Sequence, residues 1–410
     1  MSTELRGEAA SPVADTSYRE LWRIPGMPPL ALSVGLSRWV LDGMLPISLV
    51  LTCLRLYGSP VIAGLVVFLA TFPGLVMTPF AGALLDRRGR VTFIRLDVVV
   101  ATAVFAVLAV LIAVDRLGVP LIAAAAVLLS CTRPLAQAGA RAQVPSMTPE
   151  RLWDRVNAVD NAMFTGVALS APAAASALFG LFGPVVVFAT AAGLLCVTAA
   201  VLTAVPETGV VEATASLWRE SRVGVAYFLR NRTLVALAIS SSLLNIAPGT
   251  IIVVLPIIVV GHLHLSAALV GVLFAVEQVG AAVALVVAGH TGTRGREVAV
   301  MTAGAVLTAL GMLVILASSA VPVIAAGLFV VGVGSGPYWV ALYGLRQRRT
   351  KPHMFARAFA MSYACNIAGM PLGSALAGTL SGGGVVVGAL LLAVVCPLLA
   401  VGVLRLVPRG

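Results

Sequence analysis

The sequence predicts an all-α polytopic membrane protein that crosses the bilayer twelve times, in two halves of six helices each. Three observations carry that expectation. Hydrophobic residues make up 60% of the 410 and charged residues 10%, with a mean hydropathy of +1.04, which leaves too little polar side chain to clothe a soluble domain. Apolar runs of about 20 residues, the length that crosses a hydrocarbon core, recur along the whole chain. The basic residues collect in alternate connectors instead of being spread evenly.

Residues 1–28 form a polar tail. They lack the basic stretch, apolar core and cleavage site of a secretory leader, so the first span is expected to stay in place as an anchor. Spans one to six are expected at about 29–52, 60–83, 96–114, 118–140, 158–180 and 184–205. Spans seven to twelve follow at about 234–260, 268–288, 298–318, 321–344, 359–380 and 385–404. The two halves therefore occupy 29–205 and 234–410, separated by the longest internal connector, 206–233. Within it, SLWRESRVGVAYFLRN mixes Leu217, Trp218, Tyr227 and Phe228 with Arg219, Arg222 and Arg230, a pattern suited to a helix lying on the membrane surface. The remaining connectors are too short to hold a soluble domain.

Orientation follows from the arginines, because basic residues flanking a span resist translocation. With the N-terminus inside, all 27 basic residues except Arg38, Arg55, Arg116 and Arg133 fall on the cytoplasmic side. Both termini are then cytoplasmic. The net charge of +11 becomes a topology signal, which removes the case for a nucleic-acid surface. A single lysine, Lys351, among so many arginines, together with the richness in Ala, Val and Gly, points to a GC-rich bacterial genome and so to a bacterial inner membrane.

Several function classes are excluded or disfavoured. The five cysteines are scattered singly in apolar runs and read as small buried hydrophobes. His262 and His264 have no third ligand nearby, so no metal is expected. Lys351 is preceded by no glycine-rich phosphate loop, which excludes built-in ATP hydrolysis. No GxSxG or HExxH pattern marks a membrane enzyme, and no selectivity filter marks a channel. A monomer without a cofactor is expected, with a small-molecule substrate, protons and lipid as its partners.

A weak internal repeat is visible. GALLDRRGR, at 82–90 after span two, is echoed after span eight by Gly289, Thr293, Arg294, Gly295 and Arg296, with the acid lost and one spacer missing. Span five, NAVDNAMFTGVALSAPAAASALFG, has its counterpart in FAMSYACNIAGMPLGSALAGTL at span eleven. GALLDRRGR resembles the signature loop between spans two and three of the major facilitator superfamily, and the twelve spans and long central loop agree with it over the whole chain. The longer stretches LYGSPVIAGLVVFLATFPGLVMTPFAGALLDRRGR and VPSMTPERLWDRVNAVDN resemble the drug:proton antiporter branch, which includes macrolide and siderophore exporters. The sequence departs from that pattern at Val91, where a further basic residue is common, and at Ser170, Ala171 and Pro172, where a Gly-Pro is usual.

The resemblance implies a gate. Arg87, Arg88 and Arg90 hold the loop inside by their charge, and Gly82 and Gly89 permit a tight turn and close backbone approach. The family's acid, here Asp86, pairs with basic groups and a helix N-terminus of the other half to latch the cytoplasmic side. Arg141 and the start of span eleven near Arg357 are the candidate partners; the alternative is an ion pair inside Asp86's own loop.

Ionisable groups at hydrocarbon depth mark pathways or ion relays, and four lie well inside their spans: Arg38, Asp42, Arg133 and Glu277. Arg38 and Asp42 are four residues apart, so one helix face carries both and they can pair. Either they neutralise one another, or Asp42 carries protons, its charge state set by that partner and by hydration. Arg133, with Gln137 and Gly139, matches the branch's basic proton-transfer motif of span four; the alternative is an arginine satisfied by backbone carbonyls beside Pro134. Glu277 has no basic neighbour in its span, which makes it a second proton site, an anchor for a cationic substrate, or a protonated hydrogen-bonding residue. Asp160 and Asp97 read as structural, with Arg155 or Arg141 as partners for Asp160. Trp39, Phe164, Asn245, Tyr338, Trp339, Tyr363 and Asn366 are of the right type to touch an amphipathic substrate in a broad apolar cavity, although aromatic residues in such helices also serve as packing or interface anchors. The reading is a proton-coupled exporter of small amphipathic compounds. A same-fold importer or facilitator of a small nutrient is the alternative, and a non-transporting sensor is more remote.

Overall fold

The computed structural model describes residues 18–78, 89–207, 225–291, 293–350, 361–362, 364–382 and 385–407. Among these residues the chain is helical without a strand, and eleven helices are long and apolar enough to span a membrane. In chain order they are α1 (Met27–Tyr57), α2 (Pro60–Thr78), α3 (Arg90–Ala113), α4 (Val119–Met147), α5 (Trp153–Phe182), α6 (Pro184–Leu202), α7 (Arg232–His262), α8 (Ala267–Thr291), α9 (Glu297–Ala317) and α10 (Val321–Arg348), with α12 (Val387–Leu404) last. The expected eleventh span begins among residues outside the described set; its later part is α11 (Gly369–Leu380). A short helix, Tyr18–Arg23, precedes α1.

Local chemistry sets the ends. Ser59 accepts a hydrogen bond from the Ile62 amide at 3.3 Å and Pro60 follows it, while Asn231 accepts from the Leu234 amide at 3.2 Å. Both are helix caps that satisfy amides with no partner inside the helix. Several helices run past the apolar stretches that announced them: α3 starts at Arg90 and α5 at Trp153. Hydropathy marks only the hydrocarbon-depth part, whereas backbone hydrogen bonding carries the helix on into the polar interface.

The first six helices and the last six each pack mainly among themselves, α3 against α6 and α4, α10 against α9 and α8, and α7 against α11 and α12. Among the described residues α1 touches α7 across the two sets, and two closer crossings join them. Pro60 and Gly64 of α2 lie against Ser374 and Gly378 of α11, and Ala173 and Ser176 of α5 lie against Gly271 of α8. Small residues let the backbones approach closely there. Both crossings sit toward the end opposite the arginine-rich connectors.

Toward the arginine-rich end the helices part. One stripe of α5, at helical spacing, reads Asn157, Asn161, Phe164, Ala168, Ala175 and Phe179. Its first three members are exposed, Phe164 by 64%; Ala168 is half-buried, and Ala175 and Phe179 are buried. The stripe of α8 that meets α5 at Gly271 behaves alike: Gly271 is buried, Ala275 and Gln278 are half-buried, and Ala282 and Leu285 are exposed. A cleft closed at one end and widening toward the basic end accounts for both gradients.

Candidate functional site

Three ionisable groups of the first six helices, Asp42, Asp97 and Arg133, meet in one place. Arg133, on α4, donates through Nε to Asp42 Oδ1 at 2.9 Å and through Nη2 to Asp42 Oδ2 at 2.8 Å. Its third nitrogen, Nη1, reaches Asp97 Oδ2 on α3 at 3.3 Å. The Thr132 hydroxyl donates to the other oxygen of Asp97 at 2.7 Å. One guanidinium fork therefore serves two carboxylates on two different helices, a geometry that arginine can supply and lysine cannot. The two acids differ in access: the Asp42 side chain is 33% exposed and that of Asp97 1%.

The expected pairing of Arg38 with Asp42 does not form. Arg38 instead bonds Asp160 Oδ1 on α5 at 2.6 Å. Two causes are visible. The segment Trp39–Met44 is π-helical, and its wider turn rotates Asp42 off the stripe that an unbroken α-helix would share with Arg38. A local pair four residues apart also contributes only about 0.2–0.5 kcal/mol, less than a two-pronged, charge-assisted bond to Arg133. The partner expected for Asp160, Arg155 or Arg141, is corrected in the same way. Asp160 takes the half-buried Arg38 as its partner, while Arg155 lies over the Tyr18 ring at 5.2 Å. Asp97 belongs to the buried charge group. The sequence carried one usable signal for both: two arginines at hydrocarbon depth with a single acid nearby leave a charge unmatched.

Glu277 lies midway along α8, 8% exposed, where the α8 backbone touches α10 at Gly332. Among the described residues no ion pair or side-chain hydrogen bond reaches it. The amphipath candidates fall in several settings. Phe164 faces the open cleft, and Trp39 is half-buried with its Nε1 donating to Ser170 at 3.0 Å. Asn245 donates to the Asn366 carbonyl at 2.9 Å and to its side-chain oxygen at 2.5 Å, clamping α7 to the start of the eleventh span. Tyr338 is sealed in the core against Ser240, with Trp339 set edge-on to it at 5.5 Å. That seal separates Tyr338 from a substrate path. Tyr363 lies outside the described residues.

Of the gating residues, Gly82, Asp86, Arg87 and Arg357 lie outside the described residues. Gly89 adopts φ +93°, the left-handed region that favours glycine. Arg90 bonds the Ala142 carbonyl at 2.9 Å and the Ser146 hydroxyl, and Arg141 is exposed on α4. Sequence reasoning missed Glu207, just beyond α6. Its Oε1 accepts from the amides of Arg90 and Val91 at 2.6 and 2.9 Å, and its Oε2 from the Thr92 amide at 2.9 Å. An anion thus sits on the positive end of α3. A side chain at position 89 would strike this carboxylate, its Cβ 2.9 Å from Glu207 Cδ. Glu207→Ala is expected to lower stability by about 1 kcal/mol, as the loss of a helix cap does; thermal unfolding of the purified protein measures it, and an unchanged midpoint would show the cap to be idle.

The whole chain can be compared with known proteins. The family model of the Major Facilitator Superfamily matches residues 29–248 and again 237–410. An uncharacterised MFS-type transporter of Sinorhizobium fredii, y4rN, is 36% identical over 365 residues, which cover 88% of this chain and 90% of that protein. Among solved structures, a bacterial homologue of the iron transporter ferroportin in an inward-facing state aligns with a TM-score of 0.72 at 16% identity, over 92% of this chain and 97% of that one. The nucleoside transporter NupG aligns at 0.71 and 12%, over 92% and 97%. At such identities these two likenesses speak to the fold alone. The family match over both halves of a helical bundle with a cleft between them makes this chain a membrane transporter of the major facilitator superfamily.

Proposed function

We propose that this transporter exports small amphipathic compounds in exchange for protons, with Asp42 as the principal proton carrier. One observation carries the reading: Asp42 is held by Arg133 at hydrocarbon depth yet keeps a third of its side chain accessible. A carboxylate so placed has two supported forms. Paired with Arg133 it is stable as an anion; once cleft water delivers a proton it is stable as a neutral acid, and Arg133 keeps a second acid as partner. Glu277 stands as the further protonatable group of the last six helices. In this reading the arginine-rich end and both termini are cytoplasmic, the cleft opens inward, and a monomer works by rocking its two halves alternately about the site. The loop at 82–90, with Asp86, Arg141 and Arg357, latches the cytoplasmic side in the opposite state. Phe164 and Trp39 are the substrate contacts of the first six helices, with Asn245, Trp339, Tyr363 and Asn366 as those of the last six.

Direction and coupling are tested together. Cells expressing the protein should accumulate less of a labelled lipophilic compound than cells without it, and an uncoupler should abolish the difference. Greater accumulation on expression that collapses with the uncoupler would make the protein an importer. Asp42→Asn, at matched membrane abundance, should reduce the dependence of transport on the pH gradient at least about tenfold, the scale on which a lost proton-transfer group acts. Glu277→Gln should weaken the same dependence to a smaller degree. Full gradient dependence in Asp42→Asn would end the assignment of Asp42.

A further inference from the structure

We propose that Asp97 is the fixed counter-ion that keeps Arg133 charged and aimed whenever Asp42 takes up a proton, so that the three residues together hold one exchangeable proton. The inference rests on the proton-coupled reading of Asp42 and assigns the buried acid beside it a separate, positioning role.

The argument is one of charge and access. Arg133 brings one positive charge, and Asp42 and Asp97 bring two negative ones, so the group is neutral only with one proton bound. That proton has a place to arrive at Asp42, whose side chain is 33% exposed, and no route to Asp97, whose side chain is 1% exposed. Both oxygens of Asp97 are already occupied as acceptors, one by the Thr132 hydroxyl at 2.7 Å and the other by Arg133 Nη1 at 3.3 Å. When Asp42 is protonated, an O–H bond forms at one of its carboxyl oxygens with a proton taken from cleft water, and the two bonds from Arg133 loosen. Without a second acid, Arg133 would then be a lone cation at hydrocarbon depth, a state costly enough to oppose protonation. With Asp97 in place, the positive charge keeps its partner throughout the cycle.

The other charged groups around this site are engaged elsewhere. On α1, Arg38 is tied to Asp160 of α5. On α3, Arg90 bonds α4 near the basic end and Arg95 bonds the carbonyls of Leu202 and Val205. Residues 60–78 of α2 and 184–202 of α6 contain no Asp, Glu, Lys, Arg or His. Arg141 lies two turns further along α4 toward the basic end, and Glu277 is carried by α8, which packs on α5. Interacting sites of this kind titrate as a group, so removing one acid must move the proton affinity of the other.

The test is the pH profile of substrate-linked proton release from the purified transporter in liposomes, with a transported lipophilic compound as probe. In Asp97→Asn, Arg133 is left with Asp42 alone, the anionic form of Asp42 gains, and protonation needs a lower pH. The midpoint should move to acid by about one pH unit or more, the size of shift that a neighbouring charge produces. Asp97→Glu, which restores the charge, should return it toward the wild-type value. A merely structural role would change abundance or rate and leave the midpoint in place, so an unmoved midpoint in active Asp97→Asn overturns the proposal. Infrared titration of Glu277→Gln, which removes the other buried protonatable carboxyl, and of Glu277→Gln combined with Asp42→Asn needs no change at Asp97: a titrating protonated-carboxyl signal should be present in the first and should vanish in the second. A signal that persists in the combined variant while its proton coupling is lost would put the proton on Asp97 and overturn the fixed-counter-ion role. If Asp42→Asn instead keeps full proton coupling, the underlying reading of Asp42 has failed, an outcome distinct from both.

Discussion

Arg133→Gln is expected to abolish transport and to destabilise the folded protein by about 3–5 kcal/mol, the range seen when one partner of a buried ion pair is removed. The substitution leaves Asp42 and Asp97 without their shared cation, one of them almost fully sealed from water. Three charge-assisted hydrogen bonds disappear together, to acids on two other helices. Arg133→Lys should recover part of the stability, because it keeps the charge. It should not recover transport, because an ammonium cannot reproduce the fork that spans both carboxylates. A double variant with Arg133→Gln and Asp97→Asn separates the two losses. With the more deeply buried acid neutralised, the unfolding midpoint should rise back toward that of the parent protein while transport stays absent. Thermal unfolding in detergent and uptake into liposomes provide the two readouts. A single variant that unfolds at the wild-type temperature would mean the carboxylates do not depend on Arg133 in the way the distances imply.

The fold was legible in the sequence because a bilayer permits few solutions. A spanning segment must satisfy its own backbone, so long apolar runs become helices, and all eleven helices read here as spans overlap runs named from hydropathy. Arg133, Asp42 and Glu277 were legible for a related reason: charge at hydrocarbon depth is rare enough to stand out. Their partners were not. Asp97 lies in the second turn of a helix that starts at Arg90, and from sequence alone it looked like an interfacial acid. Only the crossing of α3, α4 and the π-helical part of α1 brings it to Arg133. The Arg38–Asp42 pairing failed because it assumed an unbroken α-helix, and a π-turn leaves no mark in hydropathy. Glu207 was invisible as a cap because its recipient, the start of α3, is 115 to 117 positions away in the chain. Long-range pairing of this kind is set by helix packing and has no periodic trace.

Gly64→Val is expected to shift the transporter away from the state described here, by about 5- to 150-fold in the balance between its conformations. A Cβ at Gly64 would lie 2.4 Å from the Ser374 carbonyl oxygen and 2.8 Å from the Gly378 Cα. Both obstacles are backbone atoms, so no side chain can swing aside. Overpacking of this sort costs about 1–3 kcal/mol, and a difference of that size between two states is a change of about 5- to 150-fold. The clash exists only while α2 and α11 are in contact at the closed end; if the halves separate there, the valine meets lipid or water at little cost. The substitution therefore penalises one conformation and spares the other. Spin labels at the exposed positions Val61 and Leu380 should report a longer distance in Gly64→Val than in the parent protein, with transport slowed because the closed end re-forms rarely. Gly332→Val is the contrasting case. Its Cβ would fall 1.9 Å from the Glu277 carbonyl oxygen, but that contact lies between α8 and α10, which belong to the same set of six helices. It should lower the unfolding midpoint and leave the Val61–Leu380 distance alone. Equal distance distributions in Gly64→Val and the parent would show that the α2–α11 crossing does not part during transport.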